Sequence, residues 1–295
     1  MKIKPLTVIL LATLCLCTAF VHKNVRTCAA SGGASLKLVD VMVDYGNGTC
    51  RWASCILRPG NDTVYNATQQ VAISLNVSWS SYGAFVDAID GVWNNYTSNT
   101  SWMWWYWNHS AGCWEIGSVA WYHYVLEDCD IVAWYYEDCG EWPPDPPQNP
   151  PAIRVIVLLD YGNNTRVWYT DVEVLGYASV LKATKAIAPV EYLLYGADVW
   201  VEAINNIPNN STAKRFWMWW IWNFTAGEWG WGPVACNKYC LSDGDVVAWY
   251  YETEPWGPPE VEEIIPEMGM LTVYLVSATG VVAAFPMFRG KRTRR

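Results

Sequence analysis

Apolar residues alternate with other positions through Ile153, Val155, Val157 and Leu159, the period of a strand, until Asp160-Tyr161-Gly162-Asn163-Asn164 interrupts them as a turn. A second alternating run follows at Trp168, Thr170, Val172 and Val174. The corresponding earlier stretch carries Asn47-Gly48, the dipeptide that closes tight hairpins. The period then changes. Val180, Leu181, Thr184 and Ile187 share one face of a helix, as do Val64, Tyr65, Thr68 and Val71. Aromatic and β-branched segments return at 199–204, 217–222 and 246–251. Hairpin, helix and several strands predict an α+β unit, a mixed sheet carrying one short helix.

That unit is written twice. Trp102 to Glu137 aligns without gaps on Trp217 to Glu252, with 22 of 36 positions identical, and Asp44-Tyr45-Gly46-Asn47 matches Asp160-Tyr161-Gly162-Asn163. Self-similarity of this degree marks a tandem duplication. The predicted domains are 35–138 and 153–253, joined by a proline-rich linker over 139–152 and followed by an acidic, proline-rich stalk over 254–267. The linker's proline pairs predict an extended, semi-rigid polyproline conformation.

The two ends differ from this body. Residues 6–21 are uncharged and follow Lys2 and Lys4, so 1–21 reads as a signal peptide. Lys23 and Arg26 keep an uncleaved N-terminal anchor as the alternative. Residues 268–288 are also uncharged and would span roughly 31 Å as a helix, about the thickness of a hydrocarbon core. Five cations crowd the tail 289–295. These features predict a C-terminal transmembrane helix with a cytoplasmic tail, hence a single-pass protein of the cell membrane with an extracellular ectodomain. The rival reading of 268–288 is a core strand pair around Gly280. Net charge is −9, but Ser35 to Glu267 holds 10 Lys and Arg against 28 Asp and Glu. Such a surface excludes nucleic acid as a partner. The membrane, other envelope proteins and a small flat ligand remain as partners.

N-x-S/T occurs at Asn47, Asn61, Asn66, Asn76, Asn95, Asn99, Asn108, Asn163, Asn209, Asn210 and Asn223, which is 11 of 18 asparagines. Such density predicts N-glycosylation of an exported chain, and adjacent Asn209 and Asn210 are not expected to be occupied together. Beyond Cys15 and Cys17 the cysteines are Cys28, Cys50, Cys55, Cys113, Cys129, Cys139, Cys236 and Cys240. An even number in an oxidising setting predicts disulfides. Cys236 and Cys240 are expected to bond to each other across a turn, with zinc as the rival. The six in the first copy leave 15 pairings open.

Twenty-one Trp in 295 residues is several times ordinary usage. Eight form two strands: Trp102, Trp104, Trp105 and Trp107, and Trp217, Trp219, Trp220 and Trp222. Both faces of each strand are therefore aromatic. One serves the core; the other is either covered by a loop or is a stacking platform for a sugar, corrinoid or other flat ligand. Catalytic signals are thin. The histidines are His22, His109 and His123, so the second copy has none. Asp128/Asp130 and Asp243/Asp245 could serve acid–base chemistry or Ca2+, but an Asp-x-Asp leading into a strand reads first as a turn. No enzyme and no resident metal or cofactor are predicted.

The Trp-rich strand ending in Asn, followed by a Leu-x-Asp-Gly-Asp turn into Val-Val-Ala-Trp-Tyr-Tyr-Glu, resembles the transcobalamin-like C-terminal domain family over roughly 35–138 and 152–253. Copy one departs at Cys129, where copy two has Gly244. The resemblance implies two tandem β-grasp-like domains of a prokaryotic surface protein. It also implies a possible corrinoid, since the related domain in cobalamin carriers closes over one. Sequon density beside this domain type suggests an archaeal source. The expected function is a glycosylated, membrane-anchored surface protein whose two modules serve adhesion, envelope structure or ligand capture; the alternative is small-molecule binding through the Trp strands.

Overall fold

A computed structural model describes residues 35–140 and 143–259. The first repeat runs β1 (Lys37–Asp44), β2 (Cys50–Leu57), α1 (Val64–Val71), β3 (Leu75–Ser80), β4 (Gly83–Ile89), β5 (Val92–Trp93), β6 (Thr100–Asn108), β7 (Cys113–Ile116) and β8 (Ile131–Asp138). The second follows as β9 (Ala152–Asp160), β10 (Arg166–Leu175), α2 (Val180–Lys185), β11 (Val190–Tyr195), β12 (Asp198–Ile204), β13 (Ile207–Pro208), β14 (Arg215–Asn223), β15 (Glu228–Trp231) and β16 (Val246–Thr253). Two five-stranded sheets have the orders β2-β1-β8-β6-β7 and β10-β9-β16-β14-β15. In each, the last strand enters the middle parallel to the first, pairing Val41 with Val132 and Val157 with Val247.

The fold class differs from expectation. The described residues are mostly β, with four sheets and two short helices among them, rather than α+β. The apolar faces foreseen for the helices are real but last only 8 and 6 residues. Ala72, just beyond α1, is already extended. The strands after each helix do not join the mixed sheet. They form separate three-stranded sheets, β3-β4-β5 and β11-β12-β13. An asparagine joins the layers instead of a ladder: the Asn94 amide donates to Val86 O and accepts from Trp102 N (2.7 and 2.9 Å), and Asn209 repeats this with Val201 and Trp217 (2.8 and 2.9 Å).

The transmembrane expectation is likewise set aside. The span 268–288 and tail 289–295, like the signal 1–21, lie outside the described residues, and no helix among the described residues is long and apolar enough to cross a membrane. At 1.5 Å per residue the longer helix reaches about 12 Å, against about 30 Å of hydrocarbon. Single-pass localisation is therefore not retained.

Each helix is tied to its sheet by a threonine on its buried face. Thr68 Oγ1 bonds back to Val64 O (2.7 Å) and accepts from Trp134 Nε1 (2.8 Å); Thr184 does the same for Val180 O and Trp249 Nε1, both at 2.7 Å. A buried indole N–H needs such a partner. The two main cores lie between each large sheet and its helix and small sheet, built on Val39, Val41, Val43 and Trp134 in one repeat and Val155, Val157, Leu159 and Trp249 in the other.

The opposite face of the first large sheet buries Met42, Trp105, Trp114, Ile131 and Ala133. Between 143 and 150 only Pro144, Pro147 and Pro150 are buried, a period of three that matches a polyproline helix with one ridge turned inward. Trp114 Nε1 donates to Gln148 O (2.9 Å), holding this segment in place. The linker thus packs against the fold as well as joining the repeats.

The repeats belong to one compact unit, and charges seal their seam. Asp40 of β1, 1% exposed, pairs with Lys182 of α2 and accepts from Tyr177 N (3.0 Å). Asp128 pairs with Lys185 at 2.7 Å, and the Lys185 ammonium lies 5.3 Å from the Tyr192 ring centre. Neither lysine has a basic counterpart in repeat one, where Asn66 and Gln69 stand at the aligned helix positions.

Candidate functional site

The eight strand tryptophans do not form an open platform. Trp102, Trp104, Trp105, Trp217, Trp219 and Trp220 are all buried, none more than 8% exposed. Trp107 and Trp222 are half-buried and meet Trp114 and Trp229 edge to face at 5.4 and 5.3 Å. Alternation splits each strand: Trp102 and Trp104 face the main core, while Trp105 faces the side covered by the linker. Gly117 and Gly232 sit on the indoles of Trp104 and Trp219, where a Cβ would overlap the ring.

An aromatic surface that uses two of these eight, Trp102 and Trp104, opens between β4 and β6 of repeat one. This cleft holds about 350 Å³ and is floored by Trp102, Trp104, Trp121 and Trp134. Tyr82, Phe85 and Tyr96 stand at its rim with 90%, 52% and 76% of their surface exposed, an unusual cost for three aromatic side chains. Trp121 is pinned by its indole N–H to Ala84 O (3.0 Å), and Tyr122 packs on Trp79 at 5.3 Å. The floor is therefore fixed and the rim free.

Repeat two lacks this site. The ladder register aligns Tyr82 with Ala197, Tyr96 with Ser211, Trp121 with Cys236 and Tyr122 with Asn237. Asn237 instead donates to Ala197 O and accepts from Val199 N (2.9 and 3.0 Å). Trp200, the counterpart of Phe85, lies edge-on to Phe216, which in turn meets Trp256. Sequence reasoning named two residues of the floor, Trp102 and Trp104, but missed Trp121 and the rim because it followed what the copies share. The signal lay in their differences, at Tyr82, Tyr96 and Trp121.

The paired acids serve turns. Asp130 accepts from Glu127 N (2.7 Å) and Asp245 from Ser242 N (2.8 Å); Asp128 and Asp243 accept from Leu38 N and Arg154 N at 2.8 Å. Burial raises the Asp130 carboxyl to about 6. His109 is half-buried and His123 exposed against Tyr122. His22 lies outside the described residues.

Of the cysteines, Cys129 is disulfide-bonded, Cys28 lies outside the described residues, and Cys50, Cys55, Cys113, Cys139, Cys236 and Cys240 are free thiols. The expected Cys236–Cys240 bridge is absent. Cys236 turns into the second core while Cys240 stays exposed on a bridge to Ser179. Burial pushes the Cys55 and Cys236 thiols up to about 12.

Among the sequons, Asn47, Asn61, Asn76, Asn95, Asn99, Asn163, Asn210 and Asn223 are exposed. Asn209, Asn108 and Asn66 are half-buried, and the side-chain nitrogens of Asn209 and Asn108 donate to Val201 O and Glu115 (2.8 and 2.6 Å). Asn66 caps α1 by accepting from Thr63.

No known protein family matches the chain, and no curated protein does. A crystal structure of haptocorrin in complex with Cbi is similar over 36% of this chain at 15% identity, with a TM-score of 0.29. The matched part spans 27% of the haptocorrin chain. A likeness of that extent does not assign the fold or the family.

Proposed function

We propose that this protein is a non-catalytic binding module that captures one ring of a carbohydrate in the aromatic cleft of its first repeat. The observation that carries the reading is the exposure of Tyr82, Phe85 and Tyr96 around a floor of buried tryptophans. Small-molecule sites are concave, mostly apolar and supplied with a few polar groups, within about 300–1,000 Å³. About 350 Å³ lies at the low end, enough for a single sugar ring and too little to enclose a corrin macrocycle. Aromatic faces suit the C–H side of a sugar, and the hydroxyls of Tyr82, Tyr96 and Ser101 reach its oxygens. Glycans on the exposed sequons, Asn210 rather than Asn209, complete this reading.

Titrating the full chain with chitin- and mannose-type oligosaccharides and with a corrinoid, followed calorimetrically, tests it. Saturable sugar binding is expected, weakened at least tenfold by Tyr82→Ala or Phe85→Ala and unchanged by Tyr195→Ala in repeat two. Corrinoid binding without sugar binding, or full affinity in Tyr82→Ala, would overturn the proposal.

A further inference from the structure

A second cavity lies at the seam of the repeats and is larger than the cleft, at about 620 Å³. Trp52 and Ile56 of β2 form one wall, with Tyr177 and Leu194 of repeat two opposite. Its charged lining is one-sided. Arg58 and Lys238 are the charged residues of the lining, and no carboxylate contributes to it. This is against the trend of the molecule, where 28 acids face 10 bases between Ser35 and Glu267. Lys238 is paired with Asp198. Arg58 is exposed, and its guanidinium makes no ion pair, hydrogen bond or ring contact among the described residues, whereas eight of the ten bases are ion-paired and Arg215 is held by carbonyls and the Tyr251 ring.

We infer that this groove binds a small amphipathic organic anion, its apolar body between Trp52 and Leu194 and its acidic group against Arg58. Guanidinium suits a carboxylate or sulfonate because its planar donors match two oxygens at once. The seam ion pairs, Asp40 with Lys182 and Asp128 with Lys185, hold both walls in register without any ligand. Sites between packed units are common places for small ligands. The inference is independent of the carbohydrate reading, since the two cavities share no residue.

The test uses the full chain with 8-anilinonaphthalene-1-sulfonate as the anionic probe and N-phenyl-1-naphthylamine as its uncharged counterpart. One saturable anionic site is expected, weakening as salt rises and tighter than the neutral probe. Arg58→Glu should weaken the sulfonate about tenfold and leave the neutral probe unaffected, while Tyr82→Ala changes neither. Leu194→Trp, which fills the groove, should abolish both; near-ultraviolet circular dichroism checks that each variant is folded. Absence of sulfonate binding, equal binding of both probes, or full sulfonate affinity in Arg58→Glu would overturn the inference.

Discussion

At the scale of single residues, two glycines show how closely the tryptophans are fitted. Gly117 and Gly232 each lend a backbone N–H to the strand they cover, reaching Trp104 O at 2.9 Å and Trp219 O at 3.1 Å. Neither needs a left-handed backbone; what each supplies is the missing Cβ that lets an indole lie flat against the chain. Gly117→Ala and Gly232→Ala should each cost about 1–3 kcal/mol, the usual penalty of an overfilled core. Ser118→Ala, at an exposed neighbour, should stay within about 0.5 kcal/mol. Urea denaturation of the three variants checks this, and equal midpoints for Gly117→Ala and wild type would refute the packing argument.

Among elements, the strand-capping carboxylates Glu137 of β8 and Glu252 of β16 connect each large sheet to what covers it. Trp105 and Trp220 donate to them at 3.1 and 3.4 Å, and Glu252 also accepts from Gly257 N at 2.7 Å. Burial raises both carboxyls to about 7, opposed by these donors, with Asp145 and Asp160 respectively adding to the rise. Between the ordinary value of 4.5 and about 7 the folded chain binds more protons than the unfolded one, so stability falls as pH rises through this window. Melting temperature should therefore decline from pH 5 to pH 8, and the double variant Glu137→Gln/Glu252→Gln should decline less steeply. An unchanged slope would remove both carboxyls from the explanation. The strands β9 and β10 and the helix faces of α1 and α2 were legible in the sequence, because Ile153 to Leu159 and Trp168 to Val174 alternate as strands do and the helical positions recur at 3.6. The separation of β3–β5 into its own sheet was not, since it rests on the Asn94 amide bridging layers rather than on any periodicity. The rim of the cleft was equally hidden: Tyr82 and Phe85 have the outward parity of ordinary surface positions, and only the assembled sheet pair brings them over Trp121.

The whole molecule depends on charges that neither repeat could satisfy alone. Removing the Lys182 ammonium would leave Asp40 buried without a counterion, so Lys182→Met should cost about 3–5 kcal/mol, whereas Asp40→Leu combined with Lys182→Met should recover most of that loss. Equilibrium unfolding of both variants measures the difference; additive losses would show that the pair does not act as one. The same contact sets an order of events during synthesis. Strand β8 closes the first sheet by entering beside β1, so the first repeat is complete once Asp138 has emerged. Domains in general fold as units, the N-terminal one first. At that moment Lys182 and Lys185 have not yet been made, and the side of repeat one that carries Asp40 and Asp128 still faces water. The newborn first repeat therefore exposes a side that the finished chain keeps covered, and it stays uncovered until α2 arrives with the two lysines.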